Sequence, residues 1–335
     1  LMMCFGFGLP DSLDHYADRA ADMMFTEYQY MLMGNTDDDG NVIETSEPSA
    51  EAFGMENLLY SKKKSSFRTG MGSGNNESVT VYGVDKESDY IELSGKAKEG
   101  EVFVSSAFAK KFGLSEGNVI CLHAEYENKS YEFKVIGTVD YEGGIAVFMD
   151  RDIFNSVFDK SSEDFSGFFS HKEITDIDNR YIATVITAED VSKVTTQLTH
   201  SIGGIVSVFK YVLIVMAAAL IYLLAKIIIE RNEHSISMSK ILGFKNGEVG
   251  AVYIVPTAIV VTVVSIIGFV VGYFLMIWIF KIFMMQMDGY FSFYMRYSSM
   301  ALSVVYLLIG YAAVSVVDFI RIKRIPLDVA LKNME

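Results

Sequence analysis

Three apolar runs in the second half of the sequence constrain the fold most strongly. They cover about residues 205–229, 249–280 and 300–320, and each is long enough for a helix that crosses a bilayer, which needs about 20 residues. A soluble protein would have to bury three such helices, and the rest of the chain is too polar to cover them. The sequence therefore predicts a membrane protein with an α-helical bundle of three complete transmembrane helices.

The charge is divided unevenly along the chain. Residues 1–201 contain 35 Asp and Glu against 17 Lys and Arg, whereas residues 202–335 contain 7 against 11. The acidic first part offers no basic surface to neutralise phosphates, which excludes nucleic acid as a partner. Cys4 and Cys121 are far apart and belong to no C-x-x-C motif, so they predict neither a metal site nor redox chemistry.

Lys and Arg beside the apolar runs predict the orientation of the helices, because these residues are enriched in cytoplasmic loops. The connection 281–299 has only Lys281 and Arg296 and is rich in aromatic residues that suit the opposite interface. Residues 10–201 are therefore expected to be extracytoplasmic, with the chain in the plasma membrane. The basic residues assigned to the cytoplasmic side are Lys226, Arg231, Lys240, Lys245, Arg321, Lys323, Arg324 and Lys332.

Residues 1–9, LMMCFGFGL, form a further apolar stretch, followed by Pro10 and Asp11. We interpret the stretch as the outer end of a truncated transmembrane helix that stops at this Pro-Asp pair. A cleaved signal peptide is the alternative, but neither a basic beginning nor a small-residue cleavage site is present. The expectation is a C-terminal piece of a longer membrane protein.

Residues 10–201 alternate short strand patterns with short helix patterns, which predicts an α+β extracytoplasmic domain on a helical stalk. Strands are predicted in TEYQYMLM and ESVTVYGV, a helix in SAEAFGMENLLY at residues 49–60, and a hairpin around Asn128 and Lys129. Strand-to-helix steps are predicted in EVFVSSAFAKKFGL, with a serine cap and a glycine stop, and in IAVFMDRDIFNSVF. A third step, RYIATVITAEDVSKVTTQLTHSIGG, continues into the first complete span.

No arrangement of residues in this domain indicates catalysis. Asp37–Asp39 with Gly40 resemble a calcium loop, but Pro48 stands where such a loop needs its glutamate, and Asp-Gly is a common turn signal. The glycines of GMGSGNN lack the Lys-Ser/Thr ending of a phosphate loop and predict a flexible connection. We therefore expect a domain that binds or moves, with no catalytic residue, metal or cofactor.

A short charged segment, IIIERNEHSISMSKILGFKNGEV, separates the first two apolar runs. Its residues 230–248, which we call the elbow, predict an amphipathic helix that Gly243 ends in the left-handed conformation. Asn246 would then cap the next helix, with Glu248 in its first turn. The alternative is a solvated turn whose charges only set the membrane topology. The apolar side is predicted from Ser235, Met238, Ile241 and Leu242, and the opposite side from Glu233, Ser237 and Lys240.

The stretch ERNEHSISMSKILGFKNGEV resembles the loop of FtsX/MacB-like ABC transporter permeases, in which Glu-Arg starts the segment and Lys/Arg-x-Leu-Gly closes it. The tail RIKRIPLDVALKNME and the phrase GEVFVSSAFAKKFGLSEGNVICL are similar to other motifs of the family, as is the order of spans around a large outer domain. Two departures occur in the elbow. Ser235 replaces the usual acidic residue, and one extra residue separates Glu230 from Gly243. They suggest the C-terminal module of a permease with two such modules.

The resemblance implies a membrane subunit without catalytic activity of its own. A separate cytoplasmic ABC ATPase would bind the elbow, and its ATP-driven closure would be passed to the extracytoplasmic domain, which is called mechanotransmission. The sequence contains no phosphate-loop motif, so hydrolysis is assigned to the partner chain. The residues expected to couple to the ATPase are Glu230, Arg231, Ser235, Ile236, Lys240, Gly243, Phe244 and Glu248.

Further partners follow from the same resemblance. They are a second copy of the chain or a second permease module, membrane lipid, and an extracytoplasmic peptide, lipid or protein. Export or removal of an amphiphile, peptide or lipoprotein is the first functional hypothesis. The alternative is a signalling or regulatory membrane protein that controls cell-wall hydrolases or senses an antibiotic. Both hypotheses use the same elbow.

Overall fold

The computed structural model describes residues 1–20, 23–61, 76–95 and 97–324, which divide into two compact units. The membrane unit contains Leu1–Leu13, His200–Ile279 and the chain from Phe293 onward, and the sheet unit contains Asp14–Thr199 and Phe280–Ser292. In chain order the helices and strands are α1 (Met2–Asp18), β1 (Tyr28–Leu32), β2 (Glu51–Ser61), β3 (Asn76–Val84), β4 (Glu101–Ser105), α2 (Ser106–Phe112), β5 (Val119–His123), β6 (Ser130–Val139), β7 (Ala146–Asp150), α3 (Arg151–Val157), β8 (Gly167–Ser170), β9 (Ile182–Thr187), α4 (Ala188–Arg231), α5 (Glu233–Ile241), α6 (Asn246–Met284) and α7 (Tyr297–Arg324).

Among the described residues, three helices are long and apolar enough to cross a membrane, namely α4, α6 and α7. Helix α4 has 44 residues, and at 1.5 Å per residue it is about 66 Å long, roughly twice the hydrocarbon thickness of a bilayer. It follows β9 directly, and its residues up to Thr199 belong to the sheet unit. The prediction that the last helix of the α+β domain continues into the first complete span is confirmed.

Helix α1 extends further than the sequence predicts. The expected stop at Pro10 and Asp11 is wrong, because α1 continues beyond this pair. A proline removes only one backbone donor from a helix, and polar contacts hold this helix just beyond it. The Tyr294 N–H donates to Ser12 Oγ at 2.9 Å, and the Arg296 N–H donates to Asp11 Oδ2 at 2.8 Å. These bonds stabilise α1 where the proline weakens it.

The strands of the sheet unit are hydrogen-bonded in the order β3-β7-β4-β6-β5-β2-β8-β1-β9. Strand β2 also pairs with β3, which closes the first six strands into a ring, while β8, β1 and β9 extend from β2. Apolar residues of the ring, such as Val81 and Val104, pack with Phe108 of α2 and Phe154 of α3 in one core. A second, aromatic cluster includes Phe53 and Phe169, whose rings stack at 4.1 Å between centroids.

The helix predicted over residues 49–60 is wrong, because this segment forms strand β2. Its Ala, Glu, Met and Leu residues favour a helix in isolation. In the fold the segment pairs with β3 along most of its length and with β8 and β5 at its two ends, so backbone bonds on both edges override the local preference. The sequence also did not predict β8, whose four residues are all buried and show no alternation.

Most other predicted elements of the sheet unit are confirmed. Strands β5 and β6 pair antiparallel around the predicted hairpin turn. Helix α2 begins with the Ser105 cap, whose Oγ accepts the Phe108 N–H at 3.1 Å, and ends at Gly113, which has a φ of 68°. Strands β7 and β9 lead directly into α3 and α4. The GMGSGNN segment lies outside the described residues except for Asn76.

The acidic run at Asp37–Asp39 forms the turn that its Asp-Gly signal predicts. Asp37 Oδ1 accepts the N–H groups of Asp39 at 2.9 Å and Asn41 at 2.8 Å, and Gly40 has a φ of 84°. The bonds from Asn41 contribute most to a lowered pKa of the Asp37 carboxyl. This carboxylate therefore stabilises its own turn.

Candidate functional site at the helical elbow

The elbow begins where α4 ends at Arg231, and α5 starts two residues later at Glu233. Asn232 lies between the two helices, and its side-chain Nδ2 donates back to Ile228 O at 2.7 Å. The amide therefore satisfies one of the carbonyls that the end of α4 leaves without a helical partner. A short helix within the elbow, as the sequence predicts, is present.

Helix α5 ends at the predicted glycine. Gly243 has a φ of 91°, and its N–H donates to Lys240 O at 3.0 Å. The Phe244 N–H donates to Ser239 O at 3.3 Å. These two bonds form a Schellman motif, which requires the left-handed conformation at Gly243 and therefore favours glycine. Apart from its two chain neighbours, no described residue has an atom within 4 Å of the position that a Cβ would take, so the backbone conformation selects glycine here.

Helix α6 begins at Asn246, whose side chain lies outside those that the structure describes, so its capping role stays a prediction. Glu248 provides a cap that the structure does describe. Its Oε2 accepts the Lys245 N–H at 2.8 Å, which is one half of a capping box. A carboxylate in the first turn also faces the positive end of the helix dipole. Glu248 therefore stabilises the start of α6 although its side chain is exposed.

The predicted apolar and polar sides of α5 are wrong. Ile236 and Ser237 are buried, whereas Met238, Ile241 and Leu242 are 41%, 43% and 72% exposed. A nine-residue helix with apolar residues on two sides has no unique buried face, and the neighbouring helices decide which side packs. The buried cluster around α5 consists of Ile229 on α4, Ile236 on α5, Val249 on α6 and Ile322 on α7, with Ile254 packed against it.

Lys240 also faces the inner side of the elbow and not the polar side predicted for it. Its Nζ donates to Ile322 O at 2.5 Å and to Lys323 O at 3.4 Å, close to the C-terminal end of α7. The last carbonyls of a helix lack helical partners and carry the negative end of its dipole, so an ammonium group stabilises them. Burial lowers the pKa of the Lys240 amine. Lys240 thus links α5 to the end of α7.

The eight residues expected to couple to an ATPase divide into two groups. Ile236 is buried and Lys240 is half-buried, so both hold the elbow together. The other six are exposed, and they are Glu230, Arg231, Ser235, Gly243, Phe244 and Glu248. Sequence reasoning missed the backbone acceptors at the end of α7, because no side-chain pattern marks them. The predicted coupling residues also omit three exposed apolar side chains, those of Met238, Ile241 and Leu242. Together with Phe244 we call these side chains the apolar tip.

Comparison with known proteins identifies this part of the chain. Residues 207–327 match the family model of the FtsX-like permease C-terminal domain. These residues form an FtsX-like permease C-terminal domain. The match begins within α4 and includes the elbow, α6 and α7, so the resemblance in the elbow motif extends over these helices. No curated protein matches the sequence at a significant level.

The family match confirms the predicted recognition as an FtsX/MacB-like ABC permease and the predicted fold class, with long transmembrane helices and a separate α+β domain. The family match and the three described helices that are long and apolar enough to cross a membrane support a membrane location. The family consists of membrane subunits that are generally not catalytic and that act together with an ABC ATPase.

Proposed function

We propose that this FtsX-like permease is the membrane subunit of an ABC transporter and that its elbow binds a separate cytoplasmic ATPase. The apolar tip carries the proposal, because Leu242 and Phe244 are 72% and 55% exposed within the family match. Clustered apolar side chains on a loop outside the membrane are costly to leave in water, and such patches mark protein interfaces. An ATPase that covers the tip would remove this cost.

Contacts on the inner side of α5 support a mechanical role for the elbow. Ile236 packs with residues of α4, α6 and α7, and Lys240 binds the Ile322 carbonyl. A displacement of α5 would therefore act on three membrane-spanning helices at once. Packed interfaces adopt a few discrete arrangements, so ATP binding to the partner would shift the population between them. Because α4 continues to β9 without a break, it gives this displacement a stiff path to the sheet unit.

The remaining partners follow from this arrangement. ATP hydrolysis takes place on the partner chain, and the extracytoplasmic sheet unit acts on an amphiphile, peptide or lipoprotein that is exported or removed. Apolar side chains on the long helices, such as Val215, Val252 and Phe274, are exposed and suit contact with lipid or with a second permease module. A second copy of the chain is the other candidate for that module.

Replacing both Leu242 and Phe244 with aspartate should abolish binding of the cognate ATPase. Neither side chain is buried, so the fold and membrane insertion are expected to remain intact. Apolar anchors at the centre of an interface are worth about 2 kcal/mol or more each, so each replacement should weaken binding more than about tenfold. The measurement is co-purification of the ATPase from membranes, together with its rate of ATP hydrolysis.

Met33→Asp is the matched control for these variants, because Met33 is an apolar residue of the sheet unit that is 74% exposed. It should bind the ATPase as the unmodified chain does. Equal recovery of the ATPase with the double variant and with the control would rule out the apolar tip as the docking surface.

Thiol labelling tests the sidedness on which the proposal depends. In a Cys121→Ser background, Ser235→Cys should react with a membrane-impermeant reagent only after the cells are permeabilised. Met33→Cys, in the sheet unit, should react in intact cells. Ser235 and Met33 are both exposed, so access to the reagent depends on the side of the membrane. Labelling of Ser235→Cys in intact cells would exclude a cytoplasmic ATPase at the elbow.

A further inference from the structure

A buried lysine on α2 binds the connection between α6 and α7. Lys111 lies in the last turn of α2, and its side chain is 0% exposed. Its Nζ lies 2.7 Å from Glu77 Oε1 and donates to Met287 O and Gly289 O, each at 2.7 Å. An ammonium group has three donors, and this one has an acceptor for each of them. Two of the three acceptors come from the connection.

Glu77, near the start of β3, completes the network. Its side chain is 1% exposed, and the same Oε1 that pairs with Lys111 accepts the Gly289 N–H at 2.9 Å. The Gly289 N–H therefore donates a hydrogen bond to the Glu77 carboxylate, and the Gly289 carbonyl accepts one from the Lys111 ammonium group. Gly289 also has a φ of 76°, a conformation that other residues rarely adopt. The two side chains thus hold one backbone turn of the connection.

Aromatic packing fixes the same segment on either side of this turn. Tyr290 packs against the core of the strand ring, and burial raises the pKa of its hydroxyl. Phe291 lies 5.6 Å from Tyr16 and 5.3 Å from Phe280, measured between ring centroids. The segment Phe280–Ser292 accordingly belongs to the sheet unit, although it connects two membrane-spanning helices.

The burial of the Lys111–Glu77 pair indicates that it positions this segment. A buried ion pair contributes little net stability, because the loss of hydration of both charges offsets their attraction. An apolar pair of similar volume would serve a purely structural core as well or better. Unlike an apolar pair, the charged pair forms directional hydrogen bonds with the backbone of residues 287–289.

We infer that Lys111 and Glu77 are positioning residues that fasten the α6–α7 connection to the sheet unit. The chain that leaves α6 at Met284 and enters α7 at Tyr297 is then held by the sheet unit at residues 287–289. The fastening is a property of the fold, whereas its role in transmission rests on the proposed function.

The test compares three forms of the full chain in lipid nanodiscs by amide hydrogen exchange. They are the unmodified chain, the double variant Glu77→Leu with Lys111→Met, and the control Lys110→Met. The double variant removes both charges together, so no unpaired charge stays buried and the ring can keep its fold. Lys110 precedes Lys111 in α2, but its side chain is 50% exposed and pairs with Glu142.

In the double variant, peptides covering residues 285–292 should exchange at least about tenfold faster, because their backbone bonds to the two side chains are lost. Peptides from β4, β6 and β7 should keep their exchange rates, and the control should match the unmodified chain throughout. Unchanged exchange over residues 285–292 in the double variant would overturn the fastening.

A second measurement, with the ATPase and a non-hydrolysable ATP analogue present, tests transmission. The change that nucleotide produces in the exchange of the sheet unit should fall at least about threefold in the double variant and persist in the control. If nucleotide changes the exchange of the sheet unit as much in the double variant as in the unmodified chain, Lys111 and Glu77 have no role in transmission. If the unmodified chain shows no change with nucleotide, the proposed function fails, and the first measurement still decides the fastening.

Discussion

Replacing Lys240 with glutamate is expected to uncouple the bound ATPase from the permease. In the native elbow the Lys240 ammonium donates to the carbonyls of Ile322 and Lys323 at the end of α7. A carboxylate at this position would face carbonyl oxygens and the negative end of the helix dipole, so attraction would become repulsion. The elbow would then lose its polar link to α7, while the apolar tip on its other side would remain free to bind the ATPase.

The expected loss in coupling is large. Hydrogen bonds that involve a charged group contribute about 1.5–3 kcal/mol, and about 1.4 kcal/mol corresponds to a factor of ten. We therefore expect the stimulation of ATP hydrolysis by the permease, measured per bound ATPase, to fall at least about tenfold in Lys240→Glu. Lys240→Met keeps the apolar stem that packs in the elbow and should show a smaller loss.

Lys245→Glu is the control, because it makes the same change of charge at an exposed position of the elbow. Expressing the rate per bound ATPase corrects for any difference in affinity between the variants. Native stimulation in Lys240→Glu would show that the contact with α7 has no part in coupling. Loss of ATPase binding in Lys240→Glu, with binding retained in Lys245→Glu, would assign Lys240 to docking.

The largest loss of stability in the sheet unit is expected from Phe154→Ala. Phe154 on α3 is 0% exposed, and its ring covers the cross-strand pair Gly54 and Gly83. A Cβ at either glycine would lie 2.5 Å from a ring atom, so the ring fills the space that the two glycines leave. Truncating a buried phenylalanine costs about 3–5 kcal/mol, of which part is the cavity that remains.

The two glycines give the same site a second test. Gly54→Ala should destabilise the sheet unit by about 1–3 kcal/mol, because the Phe154 ring has to shift away from the new methyl group, whose three nearest atoms all belong to that ring. In the double variant Gly54→Ala with Phe154→Ala, the methyl group enters space that the Phe154 ring has left, so the combined loss should be smaller than the sum. The free energy of unfolding can be measured in the full chain from the hydrogen exchange of peptides that belong to the six-stranded ring.

Gly95→Ala is the control for the glycine substitution, since among the residues that the structure describes none but its chain neighbour comes within 4 Å of the Cβ position there. It should change the free energy of unfolding by less than about 1 kcal/mol. Strict additivity of Gly54→Ala and Phe154→Ala would mean that the Phe154 ring does not rest on the glycine pair. If Phe154→Ala leaves the free energy of unfolding unchanged, the Phe154 ring does not stabilise the sheet unit as predicted.

Parts of the elbow were predictable because their causes are local. The charged segment between two apolar runs and the glycine that stops its helix depend on residues close together in the chain. The buried side of α5 was not predictable, since Ile236 and Ile241 are equally apolar and only packing against Ile322 distinguishes them. The same limit applies to β2, whose residues favour a helix until two neighbouring strands supply backbone partners.

The amino-acid pattern predicts three helices long enough to cross a membrane, a short helical elbow between the first two, and a separate α+β domain, and the described residues contain each of these elements. Length, hydrophobicity and turn chemistry act over a few residues, so a linear pattern reveals them. The roles of Lys240 and Lys111 depend on the fold, because their acceptors at Ile322 and Gly289 lie 82 and 178 residues away in the chain. Those acceptors are backbone carbonyls, which every residue carries, so only the fold determines which of them a buried ammonium group binds.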